Sequence, residues 1–172
     1  MGDDAEGRLT LPRRRRDRWV TRVDERRFRL ALSPDERAVL RRLVAELREL
    51  LLADEDPALA RLYPPGYGDD EDRSREWHRL VHDELLARRL EALDLVDRTL
   101  ESAEADTEAL ECLMRSVNDL RLVIGTRLGV REDEGPELVP GSPDEDLVRL
   151  YHALGILLEE IVDGLASSFG RP

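Results

Sequence analysis

Apolar residues recur every three or four positions in four long stretches of the chain. This spacing places them on one side of an α-helix. It predicts helices over about residues 34–53, 70–103, 107–128 and 143–168. The last stretch contains "LGILLEEIV", which is apolar on nearly all sides. Such a helix is central to its bundle or lies in a subunit contact, and we expect the central position.

The tetrapeptide "SPDE" precedes the first and the last of these helices, at residues 33–36 and 142–145. It predicts a capping box at both places, because Ser accepts a hydrogen bond from the third helical amide and Glu accepts one from the Ser amide. Pro suits the first helical position, where its missing N–H costs nothing. At the other end of the third helix, Gly129 is expected to adopt the left-handed conformation that ends it.

Apolar and charged residues alternate in "RWVTRVDERRFRLAL", residues 18–32. The alternation predicts a short β-hairpin, with one face formed by Trp19, Thr21 and Val23 and another by Phe28, Leu30 and Leu32. The fold class is therefore mainly α: a bundle of four long amphipathic helices with a small N-terminal β-hairpin, in one domain over residues 18–168.

Charge is distributed unevenly along the 172 residues. All 27 basic residues are arginines, 39 residues are acidic, and the net charge is −12. Residues 1–29 carry ten of the arginines and six acids, so the remainder is strongly acidic. Residues 1–17 are predicted to be a disordered basic arm. An acidic body repels phosphates, so nucleic acid is not expected as a partner unless "RRRRDR", residues 13–18, binds it.

Composition also limits the location and the chemistry. No apolar run reaches the roughly 18 residues that a membrane span needs, and the N-terminus lacks a secretory signal, which predicts a cytoplasmic protein. Cys112 is the single cysteine, so an internal disulfide is excluded, and its sequence neighbours predict an inert thiol. No cofactor is expected.

The third helix holds polar residues inside an apolar run, "VNDLRLVIGTRLGV". Asn118, Asp119, Arg121 and Arg127 are candidates either for an internal clamp that fixes helix register or for a partner-binding groove. A buried Asp119 requires a partner from another element, and the pair Arg88–Arg89 is the candidate. Gly125 predicts a close approach or a bend. No nucleophile or base accompanies this group, so we expect no enzyme.

Two other constellations concern surface contacts. Tyr63 and Tyr67 in "YPPGYGDDED" indicate either a docking loop or a plug at the end of the bundle. His78 and His82 are four apart, as in helical zinc sites, yet two histidines alone do not predict a metal.

The runs "NDLRLVIGTRLGV", "FRLALSPDERAVLRRLVAELRELL", "LARLYPPGYGDDED" and "LVRLYHALGILLEEIV" resemble the actinobacterial domain-of-unknown-function (DUF) family two-thousand-and-seventeen. The resemblance covers most of residues 27–166. It implies no catalytic residues, a genomic neighbourhood with the Clp protease adaptor and a sulfur-transfer pair, and occasional labels as transcriptional regulators. "LECLMRSV" stands where many relatives have a tryptophan.

Taken together, the sequence predicts a non-enzymatic protein-interaction or regulatory module whose partner is another protein. The resemblance adds a link to Clp-type proteolysis. Two alternatives stay open: a DNA-binding transcriptional regulator that uses the N-terminal Arg arm, and a bundle that binds a metal or a small molecule. A homodimer is compatible with all three.

Overall fold

The computed structural model describes residues 18–63, 71–131 and 135–167, with backbone alone over 71–80. In chain order its elements are β1 Val20–Arg22, β2 Arg27–Leu30, α1 Pro34–Ala53, a 3-10 helix Pro57–Leu62, α2 Glu71–Leu100, β3 Glu104–Asp106, α3 Thr107–Arg127 and α4 Glu145–Ala166. The predicted fold class, mainly α with a small N-terminal sheet, is confirmed. The arm at 1–17 lies outside the described residues.

The three strands form one antiparallel sheet in the order β1-β2-β3. Val20 pairs with Leu30, and Phe28 pairs with Ala105. β3 was not predicted, because the predicted helices over 70–103 and 107–128 leave only three residues between them, too few for an alternating pattern to appear. The sheet covers the core with Phe28, which is fully buried.

The predicted hairpin is present, but burial in its first strand does not follow the alternation of the sequence. Val20 is buried, whereas Val23 is 45% exposed and Thr21 is exposed. Trp19 is buried, but it lies just before the three-residue strand, with its backbone amide donating to Glu160 of α4 at 2.6 Å. The burial of Trp19 therefore depends on contacts with other elements such as α4, and not on an alternation of buried and exposed residues along the strand.

The capping box is present at α1 and absent at α4. At α1 the Glu36 amide donates to the Ser33 hydroxyl at 3.2 Å, and the Ser33 amide donates to the Glu36 carboxylate at 2.7 Å. α4 begins at Glu145 behind Asp144, without a side-chain cap. The Glu145 carboxylate accepts from the Gly141 amide instead, at 2.6 Å, so the prediction of a second box was wrong.

The central helix is α3, which contacts α1, α2, α4, the 3-10 helix, β2 and β3. α4 contacts α3 and β1. The prediction of a central α4 was therefore wrong: it lies at one side and leaves Val162 45% exposed. No helix in the described part of the chain is long and apolar enough to cross a bilayer.

Candidate functional site

The polar residues of α3 point to different neighbours, and Asp119 faces α2. The Arg89 Nε donates to its Oδ2 at 3.1 Å, and the two side chains are 21% and 16% exposed. The same guanidinium donates through Nη2 to the Leu62 carbonyl at 2.5 Å, at the end of the 3-10 helix. One arginine thereby joins α2, α3 and the 3-10 helix, which is the clamp geometry. Arg88, the other candidate, pairs with Glu84 on its own helix.

Burial raises the pKa of the Asp119 carboxyl above its usual value, and the charge and hydrogen bond of Arg89 oppose that shift only in part. In this buried position the ionised carboxylate lacks the hydration that it would have in water, so the charged form is disfavoured. The Arg89 pair compensates for part of that loss, so removing Arg89 would leave a buried acid without its counter-charge.

Tyr63 extends the clamp on the side of Arg89. The Arg89 Cζ lies 5.2 Å from the centroid of the Tyr63 ring, and that ring stacks on His82 with 4.4 Å between centroids. The Nε2 of His82 is 3.3 Å from Asp54 Oδ2. Burial raises the pKa of the Tyr63 hydroxyl, which has no hydrogen-bond partner within the described residues. Tyr63 is thus packed against side chains of α2, and Tyr67 lies outside the described residues.

Arg121 faces the opposite neighbour, α4. Its Cζ lies 4.6 Å from the centroid of the Tyr151 ring, a cation–π distance. Gly155 lies beside it, and a Cβ there would lie 3.4 Å from Nη2 of Arg121, an ordinary van der Waals contact. Gly125 makes room for Tyr151, whose Cε2 would lie only 3.2 Å from an added Cβ. The close approach expected at Gly125 is therefore an aromatic ring from α4.

The Arg121 guanidinium has no ion-pair partner among the described residues, and its Nε is buried without a hydrogen bond there. A stacked arginine keeps its charge while losing rotational freedom. The residue is only partly covered, so a cation is held in one position at the surface.

Arg127 and Asn118 complete the predicted set. The Arg127 Nη2 donates to Asp56 Oδ2 at 2.7 Å, and this hydrogen bond lowers the pKa of the Asp56 carboxyl. Asp56 caps the 3-10 helix by accepting from the Ala58 amide at 2.8 Å. Asn118 is exposed. The four residues therefore do not converge on one centre: Asp119 and Arg127 fasten neighbouring elements, while Asn118 and Arg121 lie on or near the surface.

The outward stripe of α3 lies between its side facing α2 and its side facing α4. Its exposed or partly exposed members follow helical spacing: Arg115, Asn118, Arg121 and Leu122. We call this stripe the α3 face. Arg115 pairs only with Glu111 one turn earlier, at 3.2 Å and on the surface, where such pairs contribute little.

The described part of the chain offers few residues that suit metal binding or redox chemistry. No group of three or more potential metal ligands occurs among those residues, and the side chain of His78 lies outside them. Cys112 is buried, and burial raises the pKa of its thiol, which lowers its thiolate fraction at neutral pH.

Sequence reasoning missed the partners of Arg121, namely Tyr151 and Gly155 on α4. Their spacing of four places an aromatic ring and a residue without a side chain on one helix face. That spacing was the available signal, but nothing in it specified α3 as the neighbour.

The comparisons with known proteins agree with one another. A family model described as "Domain of unknown function (DUF2017)" matches residues 11–165. The chain is 32% identical to proteins named "Oxidative stress regulator AosR" from Mycobacterium bovis and from two strains of Mycobacterium tuberculosis, over 84% of this chain and 86% of each relative. No solved structure matches it.

Proposed function

The chain belongs to the family described as domain of unknown function (DUF2017), and from that membership we propose that it is a regulatory protein of the oxidative stress response that acts by binding another protein. The mycobacterial relatives named as oxidative stress regulators support the regulatory part. The expected link to Clp-type proteolysis gains no support from their name.

One observation carries the protein-binding part: the Arg121 guanidinium is held against Tyr151 without an ionic partner among the described residues. A cation that is already desolvated on one side and fixed in place loses little entropy when a carboxylate binds it. The partner surface that fits is therefore acidic. It would meet the α3 face, where arginine and leucine side chains lie together.

The body of the protein is acidic, with a net charge of −16 outside residues 1–29 (seventeen arginines against thirty-three acids). Long-range charge thus repels an acidic partner, and the local cations of the α3 face must supply the attraction. We expect binding that is specific to this face and that weakens as salt rises.

The test is complementation in a strain of the source organism that lacks the gene. Induction of stress transcripts by hydrogen peroxide is measured with wild type, Arg121→Gln and the matched control Arg149→Gln, an exposed arginine on α4. We expect wild type and Arg149→Gln to restore induction and Arg121→Gln to lose most of it. Circular dichroism and thermal unfolding confirm that each variant is folded.

Cross-linking in the same strains identifies the contact. Proteins cross-linked to wild type and to Arg149→Gln should be lost with Arg121→Gln and partly regained with Arg121→Lys, which restores the charge without the planar fork. Full induction by Arg121→Gln contradicts the proposal. Loss of induction only on deletion of residues 1–17 would favour a DNA-binding regulator that uses the arm.

A further inference from the structure

A cavity of about 280 Å³ lies between α1, α2 and α3. Beneath it are Leu47, Leu51 and Leu93, which are at most 2% exposed. Leu85 and Ala92 of α2 form an apolar wall. This volume approaches that of small-molecule sites. An apolar ligand that covers the wall removes apolar surface from water, which favours its binding.

The polar side of the cavity is formed mainly by arginine side chains. Three arginines and one carboxylate line it, namely Arg88, Arg89, Arg115 and Asp119. Arg89 and Asp119 bind each other and are held in place, since Arg89 also donates to the Leu62 carbonyl. Their charges cancel locally, so the head group of a ligand can gain charge attraction only from Arg88 and Arg115.

Arg88 and Arg115 are held only by exposed ion pairs. Their side chains are 70% and 59% exposed, and each pairs with a glutamate one turn away on its own helix, Glu84 and Glu111. Exposed pairs at this spacing contribute little to stability. A carboxylate at the cavity mouth can therefore exchange for either glutamate at little cost.

We propose that this cavity binds a small organic anion with an aliphatic tail. The tail lies over the leucines between α1, α2 and α3, and the anionic head meets Arg88 and Arg115. A cationic head would be placed between two like charges, so charge sign is part of the specificity. This inference goes beyond the proposed function and does not depend on it.

The first test uses the full chain and two probes with the same eight-carbon tail. Octanoate and octylammonium are titrated separately in a calorimeter. Octanoate should bind at one site per chain, and octylammonium should bind about tenfold more weakly or not at all. Absence of octanoate binding, or equal binding of the two probes, would overturn the proposal.

Variants locate the site. Ala92→Leu adds three carbons to the cavity wall and should weaken octanoate binding about tenfold or more, because it fills the space for the tail. The double variant Arg88→Gln/Arg115→Gln should weaken it about tenfold by removing the head-group contacts. Arg42→Gln, from the same kind of surface pair with Glu46 at 2.9 Å, is the control and should bind as wild type does.

The two variant types keep the test decisive. If Ala92→Leu destabilises the protein, the arginine double variant still decides, because both of its side chains are exposed and should be dispensable for folding. Unchanged octanoate affinity in the double variant would place the probe elsewhere and refute the assignment.

Discussion

At the scale of single residues, the unusual positions of α3 are explained by what each one touches. Asp119 meets Arg89 of α2, and Arg121 meets Tyr151 of α4. Gly125 provides space for that tyrosine ring. Because α3 is held by Arg89 on one side and by Tyr151 on the other, a rotation of the helix about its own axis would break at least one of these contacts. The two contacts together therefore fix how the helix is turned.

The pKa of Asp119 is testable by an NMR titration of its carboxyl. We expect a folded-state pKa above the unfolded value of about 3.9, because burial dominates. Arg89→Gln should raise it further by removing the attractive charge, whereas Arg149→Gln should leave it unchanged. A pKa below the unfolded value would contradict the burial that α2 and α3 impose.

Because the pKa of Asp119 is raised by folding, the ionisation of this carboxyl lowers the free energy of unfolding as pH rises. A carboxyl whose folded pKa is raised contributes stability that is fully present below about pH 3.9 and is lost as pH rises through the folded pKa. Asp119→Asn cannot ionise and should lack this loss. Urea unfolding of wild type and Asp119→Asn across that pH window would show the difference, which should grow in the Arg89→Gln background.

At the scale of elements, the two "SPDE" segments show how far a local signal reaches. Ser33 and Glu36 form the predicted box, and Glu36 also accepts from the Trp19 indole Nε1 at 3.0 Å. The second segment has the same letters, but there the Glu145 carboxylate accepts from Gly141, which has a positive φ of 77°. The turn before α4 thus binds the glutamate carboxylate that a capping box would need.

A matched pair of substitutions tests this difference. Ser33→Ala should lower the free energy of unfolding by about 1 kcal/mol, the usual cost of losing an N-cap side chain. Ser142→Ala should change it by only a few tenths of a kcal/mol, since surface substitutions away from such features have small effects. Urea unfolding of both variants measures the contrast, and equal losses would show that Ser142 caps α4 after all.

Whether a segment is a helix or a strand could be predicted where its hydrophobic pattern is long. The prediction fails more often where contacts between elements determine the structure. Twenty residues of α1 follow one period and the ends match, and Gly129 ends α3 with φ of 67° as expected. β3 has only three residues, too few for a period to appear, and it exists because β2 offers an edge to pair with.

The sequence limited the partner of Asp119 to two arginines, Arg88 and Arg89, by their charge and their position in the second helix. Choosing Arg89 required the position of the 3-10 helix, whose last carbonyl binds it.

At the scale of the whole molecule, the proposed role in the oxidative stress response raises the question of how an oxidative signal would reach this chain. Cys112 is its single cysteine, it is 8% exposed, and burial raises the pKa of its thiol. One cysteine cannot form a disulfide within the chain, and a buried thiol reacts slowly. The proposed function therefore places the sensing step outside this protein.

Cys112 offers a direct test of that arrangement. The native thiol should react with an aromatic disulfide reagent roughly tenfold or more slowly than the thiol of the urea-unfolded chain. Cys112→Ala should restore peroxide-induced transcription as well as wild type does in the gene-deletion strain. Loss of induction in Cys112→Ala, with normal thermal unfolding, would assign the sensing step to this thiol.

The position of α3 has a consequence for how the molecule opens. Because this helix touches the other three helices, two strands and the 3-10 helix, we expect its backbone amides near Leu120 to be among the slowest in the molecule to exchange hydrogen with solvent. Displacing the arginines of α3 would then require most of the fold to open. A regulator of this design would present those arginines to a partner from one fixed shape.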